Sequence, residues 1–504
     1  MDNPNPLPVH LELHALTQSW PLFDAAASRA IEGAAAVTLP AHTLMRRAGW
    51  AVARVALAIA PHAKTVWVAA GPGNNGGDGF EAAQHLHRAG KAVHLTAIGN
   101  AARRPADAQA ASERACAAGV VVSDAPPAHA DLVIDALLGL GATRAPTGAL
   151  RDTIAAIDHL AAPCLAVDLP SGLGAETGQR LGDIAVTATH TLALLTLKPG
   201  MFTGVGRDHA GMLWFDALGC EAQIAAQVPR ARLRAPSGLA AARPHGSHKG
   251  SYGDLIVVGG AAGMTGAAWL AARAALAAGA GRVFVAPLDG AATWDAGAPE
   301  LMCRPALWRD DPQALTRSTV VCGCGGGDAV REALPCLLSR SVRLLLDADA
   351  LNAVASDAAL QTLLQARGAR GLATVLTPHP LEAARLLGHA DAAAVQADRL
   401  AAAESLAQRF DAVVVLKGSG SVIAAPGRTP FINPTGNARL ASPGTGDVLA
   451  GWLGGRWSAR AGEASVDAFE IAAVAVWQHG FAARPDATPG PLRASALIEA
   501  LARL

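Results

Sequence analysis

The chain has 504 residues, more than one core usually holds, since single hydrophobic cores stop growing near about 250–300 residues, so a division into two domains is expected. Lysine plus arginine equals aspartate plus glutamate at 41 each, and this zero net charge gives no overall electrostatic reason to hold nucleic acid or an anionic membrane. An apolar fraction of 51% against 16% charged residues excludes a disordered chain, and 53 glycines point to many backbone positions with positive φ or close ligand approach.

The N-terminus, MDNPNPLPVHLELHAL, lacks the basic and apolar regions of a signal peptide, and the most apolar stretch, 261–280, is interrupted by Arg273 and by glycines. No membrane association is expected. The seven cysteines form no CxxC pair and no disulfide framework, which fits a reduced, cytoplasmic setting.

Short β-branched runs alternate with alanine-rich helical stretches, the pattern of parallel sheets covered by helices, so the fold class is α/β. In the first half the spacing predicts strands at Thr65–Ala70, Val93–Ile98, Asp131–Ala136, Cys164–Asp168 and Thr191–Thr196, with helices such as Phe80–Ala89 and Leu150–Ala161 between them. That is a doubly wound, Rossmann-like sheet. From Gln227 to Pro244 prolines, a Ser-Gly pair and arginines replace the alternation, which puts a boundary near residue 230 and domains at 1–230 and 231–504. Strands are then expected at Asp254–Val258, Arg282–Ala286, Ser318–Cys322, Arg343–Asp347, Ala373–Thr377 and Ala412–Leu416.

The strand Thr65–Ala70 runs into Gly71-Pro72-Gly73-Asn74-Asn75-Gly76-Gly77-Asp78-Gly79. This matches GxGxxG at a helix N-terminus, where free N–H groups attract phosphate. The next strand ends without the acidic residue that a dinucleotide dehydrogenase places about 20 positions on, so dinucleotide redox by that geometry is disfavoured. Two further strand ends carry acids, Asp135 in DALLGLG and Asp168 in AVDLPSG. Asn75, Asp135 and the Ser171 hydroxyl can together offer oxygen to a hard cation, without naming the ion. Asp168 remains free for proton transfer, and its apolar strand would desolvate it and raise its pKa. Taken singly, either aspartate reads as a cap or turn former; with the asparagine-rich segment beside them, an active site is the better reading.

GPGNNGGDG, DALLGLG, DLPSGL and Lys198-Pro199-Gly200, preceded by Leu44-Met45 and Ala48-Gly49, resemble the NAD(P)H-hydrate epimerase domain over roughly residues 15–225. The resemblance implies that Asn74, Asn75, Gly76, Gly77 and Asp78, with Gly139, Leu140, Gly141, Ala142, Thr143, Arg144 and Ala145, hold a hydrated nicotinamide nucleotide. It also implies that Asp168 acts on it and that Asn75, Asp135 and Ser171 bind potassium. Leu140 stands where that family usually has threonine, which removes one hydroxyl.

In the second half Lys417-Gly418-Ser419-Gly420-Ser421 is followed by Asn433-Pro434-Thr435-Gly436-Asn437 and by Ser442-Pro443-Gly444-Thr445-Gly446-Asp447, which opens an apolar helix. Glycines before a helix N-terminus make an anion hole, and an adjacent aspartate suits phosphoryl transfer to a hydroxyl, with Asp447 as base; an Asp that merely caps the helix is the competing reading. No GxxxxGK[ST] occurs, which excludes a Walker-type site. His379, between two prolines, suits either a ligand contact or a cap on the following helix. The pair Cys322 and Cys324 has no second pair to make a metal site.

HKGSYGD, DADALN, LTPHPLE, KGSGS and GTGDVLAG resemble the ADP-dependent NAD(P)H-hydrate dehydratases, a ribokinase-like family, over roughly residues 235–504. The resemblance implies that Ala267, Gly325, His379 and Asp447 contact the hydrate. Lys417, Gly418, Ser419, Gly420, Ser421 and Gly446 would hold the adenine nucleotide, with ADP as co-substrate and magnesium beside it. Cys324 stands where the family usually has the proline of GPG. The two halves together resemble bifunctional NAD(P)H-hydrate repair enzymes, which implies small-molecule substrates, no nucleic acid or membrane partner, and a homo-oligomer. The alternative is an ATP-dependent kinase of a vitamin-like alcohol fused to a nucleotide- or RNA-binding module.

Overall fold

The computed structural model describes residues 7–235, 245–290, 295–461, 467–488 and 490–504. The chain forms two compact units, Met1–Leu16 with Trp20–Ala231 and Thr17–Ser19 with Arg232–Leu504. Of the proline- and arginine-rich stretch 227–244, residues 236–244 lie outside the described residues; before them Ala231–Leu233 forms a strand rather than a loop, its Arg232 and Leu233 pairing with Phe431–Ile432.

In the first unit the sheet runs in the order Val122–Ser123, Ala92–Ala97, Thr65–Ala70, Leu132–Ala136, Cys164–Val167, His190–Leu194, Met212–Asp216 and Val9–His10. All neighbours are parallel except Val9–His10, which is antiparallel to Met212–Asp216. The chain winds outward from Thr65–Ala70 in one direction and returns to continue from Leu132–Ala136 in the other. A doubly wound sheet opens a crevice at that switch point, at the carboxyl ends of the two strands. Alternate residues serve opposite faces: Val66, Val68 and Ile134 join a core with Val52, Val55 and Phe80, while Trp67, Ala69 and Val133 join one with Ile154 and Ile157.

The helix after Thr65–Ala70 begins at Asn74 and runs to Arg88, so the Asn-Asn-Gly-Gly-Asp segment is its first turns and not a loop ahead of Phe80. Glycine permits this. A Cβ on Gly71 would collide with the carbonyl of Leu137, one on Gly76 with that of Gly71, and one on Gly79 with Ala136. The helix therefore packs directly across the switch point.

The second unit repeats the logic, in the order Met302–Cys303, Arg282–Pro287, Asp254–Gly259, Thr319–Cys322, Arg343–Leu346, Ala373–Leu376, Val413–Leu416, Val422–Ala424 and Phe431–Ile432. Pairing is parallel as far as Val413–Leu416, and Val422–Ala424 runs antiparallel to both of its neighbours. The switch here falls between Asp254–Gly259 and Thr319–Cys322. One face of this sheet is covered by the helices Thr265–Ala277, Thr445–Ala459, Ala468–Ala482 and Ala494–Leu501, whose apolar residues form one core. Among the described residues no helix is long and apolar enough to cross a membrane.

Candidate active sites

Each switch point carries a cluster of the residues that the sequence singled out. In the first unit, Asn74, Asn75 and Asp78 from the helix start, Leu137–Ala142 from the end of Leu132–Ala136, and Asp168 from the end of Cys164–Val167 line one cleft of about 830 Å³. Glu32, Thr196 and Lys198, to which the sequence assigned no role, line it too. Gly76 and Gly77 are buried in the helix start, whereas Thr143, Arg144 and Ala145 are exposed and outside the lining.

Asp168 adopts φ +67, a left-handed conformation that is costly for a residue with a Cβ. Its own N–H donates to Leu192 O at 2.8 Å, and its carboxylate accepts from the N–H of Leu140 at 3.2 Å and of Leu194 at 3.4 Å. Lys198 Nζ donates to Asp168 Oδ1 and, at 2.9 Å, to the Leu194 carbonyl. Asp168 is therefore paired with a cation that the sequence did not assign to it; a carboxylate at the floor of a cleft is costly without a counter-charge, and a lysine that is itself 1% exposed supplies it. Leu140, whose side chain offers no hydroxyl, contributes its backbone N–H instead. The Asp78 carboxyl is pushed well above the usual carboxylate range, first by burial and then by the negative charges of Asp168, Glu32 and Glu81. The cleft thus pairs a charge-compensated aspartate with one that favours its protonated form.

Asp135 and Ser171 lie beneath this floor, both fully buried. Ser171 donates to Asp135 through Oγ at 2.6 Å and through its backbone N at 2.8 Å, and burial raises the Asp135 carboxyl to about 6 against these bonds. Asn75 stands on the cleft side, its Oδ1 and Asp168 Oδ2 both close against Gly139. The buried Nδ2 of Asn75 has no hydrogen-bond partner. Such an amide can present either end, so it can turn its oxygen to a cation.

In the second unit, Asp447 sits in the first turn of Thr445–Ala459, after Gly444 at φ +84. His479 fixes that turn through a 2.9 Å bond from Nε2 to the Thr445 carbonyl, and burial lowers its pKa to about 4, so it donates as a neutral ring. The Asp447 carboxyl is raised to about 6 by burial and then by Asp347, while Cys324 and Lys417 pull it down. Lys417 Nζ binds Asp347 Oδ1 at 2.6 Å and stands 4.0 Å from Glu382. A Cβ on Gly446 would face Lys417 Nζ, and one on Gly325 would press on Ala267, so Gly446 adjoins the Lys417 ammonium and Gly325 adjoins Ala267.

His379 is the N-cap of Pro380–Leu387: Nδ1 accepts from the N–H of Leu381 at 3.1 Å, and Glu382 reaches back to the His379 N–H at 2.8 Å. The capping role foreseen for it is realised, and 46% of its side chain stays exposed. Gly418 and Ser419 form an exposed turn supported from below by Arg399, which donates to the carbonyls of Leu416 at 3.2 Å and Lys417 at 3.1 Å. Asp347 was noticed only within its motif. Its pairing with Lys417, and the support from Arg399, join residues far apart in sequence and had no local signal.

Residues 41–200 match the family described as YjeF-related protein N-terminus, and residues 255–499 match the NAD(P)H-hydrate dehydratase family. The chain is 38% identical over 433 residues to the bifunctional NAD(P)H-hydrate repair enzyme of Escherichia coli, covering 84% of this chain and 82% of that protein. It is 35% identical over 489 residues to the enzyme of the same name from Leishmania braziliensis, covering 89% and 86%. Among solved structures it resembles the ADP/ATP-dependent NAD(P)H-hydrate dehydratase of Bacillus subtilis, co-crystallised with ATP and Mg2+, at 28% identity and a TM-score of 0.42 over 52% of this chain and 92% of that one.

Proposed function

The chain belongs to the family of bifunctional NAD(P)H-hydrate repair enzymes, and from that premise we propose how its two domains divide the work. Water added across the nicotinamide 5,6 double bond gives a redox-inactive hydrate in two epimers at C6. The first domain interconverts the epimers, and the second returns the S form to NAD(P)H with consumption of ADP. The observation that carries this reading is that similarity to named repair enzymes covers most of the chain, with one family matched over residues 41–200 and the other over residues 255–499. A vitamin-type kinase joined to an RNA-binding module is not favoured by those relatives.

In the first domain, Asn74, Asp78 and the backbone of Gly139–Ala142 would hold the hydrate in the cleft. Asp168, paired with Lys198, would take the proton whose movement opens the hydrated ring, and Asp78 is suited to return one. Asp135, Ser171 and Asn75 would hold potassium, whose charge would be supplied next to the floor of the cleft. Their donors fit: two buried oxygens in contact and one buried amide without a partner.

In the second domain, Asp447 would accept the proton of the C6 hydroxyl as the β-phosphoryl group of ADP is transferred to it, and elimination of phosphate would restore the double bond, releasing AMP and phosphate. The N-terminal amides of Thr445–Ala459 and the Lys417 ammonium would stabilise charge on the transferring group, with magnesium carried by the nucleotide. We propose a cytoplasmic location, where the seven unpaired cysteines would stay reduced.

The test is to give the protein a mixed preparation of R and S hydrates with and without ADP. With ADP, absorbance of reduced nicotinamide should return for the whole pool. Recovery of only the S fraction would remove the epimerase, and accumulation of a stable phosphorylated hydrate would make the second domain a kinase.

A further inference from the structure

Cys324 is fully buried between Gly323 at φ +118 and Gly325 at φ +57, and its backbone is pinned on both sides. Gly323 N–H donates to Val258 O at 3.0 Å, and the Cys324 carbonyl accepts from Gly260 N–H at 2.9 Å. A backbone held this tightly aims the side chain in one direction. Its Sγ, one carboxylate oxygen of Asp347 and one of Asp447 all lie within 4.8 Å of one another.

Asp347 Oδ1 is already engaged by Lys417 Nζ at 2.6 Å and by Thr377 Oγ1 at 2.8 Å. Lys417, engaged by Asp347, acts on Asp447 through its charge. We propose that Cys324 is a positioning residue for dehydration, its thiol donating a hydrogen bond to the Asp447 carboxylate and holding that carboxylate toward the reacting hydroxyl. This rests on Asp447 as the base. Burial, together with the charges of Asp447 and Asp347, pushes the thiol well above its ordinary pKa, so the group remains S–H and can only donate to a carboxylate. The groups acting on Asp447 are Cys324, Asp347, Asp349 and Lys417, with neutral His479 at the helix start. The two aspartates disfavour its ionisation, whereas the thiol and the ammonium favour it.

The sign of the effect follows. Without the thiol the ionised base loses a donor, and the pH at which it becomes active rises. The experiment measures kcat/KM for ADP-dependent dehydration of the pure S hydrate against pH, using the full-length protein as wild type, Cys324→Ala, Cys324→Ser and Asp447→Asn, with R-to-S epimerisation as a control for the rest of the chain. Cys324→Ala should move the acid limb upward by about half a pH unit and lower the rate at neutral pH by about tenfold, as loss of a positioning contact commonly does. Cys324→Ser, which restores a donor, should bring the limb back to or below its wild-type position.

An acid limb unmoved in Cys324→Ala, with Asp447→Asn inactive, overturns the positioning role and leaves the base in place. Dehydration surviving in Asp447→Asn overturns both. If Cys324→Ala does not fold, the serine variant decides: a limb clearly above wild type would contradict donation from this position.

Discussion

Lys198 Nζ donates to Asp168 Oδ1 from within the same cleft wall, and its second bond, to the Leu194 carbonyl, fixes the ammonium there. The aspartate accepts this bond from a left-handed backbone position, with two backbone N–H groups also on its oxygens. Lys198→Met keeps the length of the side chain but removes the charge. It should slow R-to-S epimerisation by about 10²-fold or more, as losses in acid–base machinery typically do, while dehydration of the S hydrate continues. Asp168→Asn should behave alike. Given pure R hydrate and ADP, either variant should regenerate NADH only as fast as the hydrate epimerises spontaneously; full-speed repair would clear both residues of a role in proton transfer.

Asp447 provides the matching test in the second domain. Its carboxyl is raised to about 6, and a base works only when ionised, so dehydration should be nearly constant above pH 7 and fall through pH 6 toward about a tenth for each unit below. Asp447→Asn should lose about 10²–10⁴-fold in kcat with epimerisation unchanged. A flat profile between pH 5 and 7 would assign the proton transfer to another group.

Both α/β units and most of their strands were legible because hydrophobic runs of strand length alternate with helical ones throughout, and glycine-rich segments mark where the strands end; the strand orders, and so the switch points, were not. The residues that come from one motif were legible too: Asn74, Asn75 and Asp78 share the helix start and reach the cleft together. What the sequence did not reveal are partners brought from elsewhere. Lys198 lies 30 residues beyond Asp168, Lys417 lies 70 beyond Asp347, and Arg399 meets the carbonyls of Leu416 and Lys417 from a separate helix. Charge compensation of a buried acid is satisfied in three dimensions, and no spacing rule announces which cation will supply it. The start of Asn74–Arg88 was misjudged for a related reason: glycines that suggest a loop are there because the helix packs against backbone.

Potassium has a readout that does not depend on turnover. If Asp135, Ser171 and Asn75 hold it, replacing potassium by tetramethylammonium should lower the melting temperature of the first domain as well as its epimerase rate, because a ligand that binds only the folded state stabilises it by mass action. Asp135→Ala should erase the difference between the two salts. Equal melting curves and equal rates for wild type in both salts would remove the ion.

The last prediction concerns Gly451, one helical turn after Asp447 on the same side of Thr445–Ala459. A Cβ at Gly451 would collide with the backbone of Ala271, and one at Gly455 with that of Ala275, so the two helices touch along a glycine–alanine seam with no room for a side chain. Backbone cannot yield as a flexible side chain can, so Gly451→Ala must push Thr445–Ala459 away from Thr265–Ala277. Overpacking of this kind costs about 1–3 kcal/mol, although alanine is otherwise the better helix former. The displacement should also carry Asp447 and Gly446 away from Cys324 and Lys417, so dehydration should fall further than stability alone explains, whereas epimerisation should hold. Gly266→Ala, where a Cβ would meet nothing within 4 Å, is the control for glycine replacement in a helix of the same pair. Should Gly451→Ala melt like wild type and dehydrate at the wild-type rate, the close helix contact would not be what places the base.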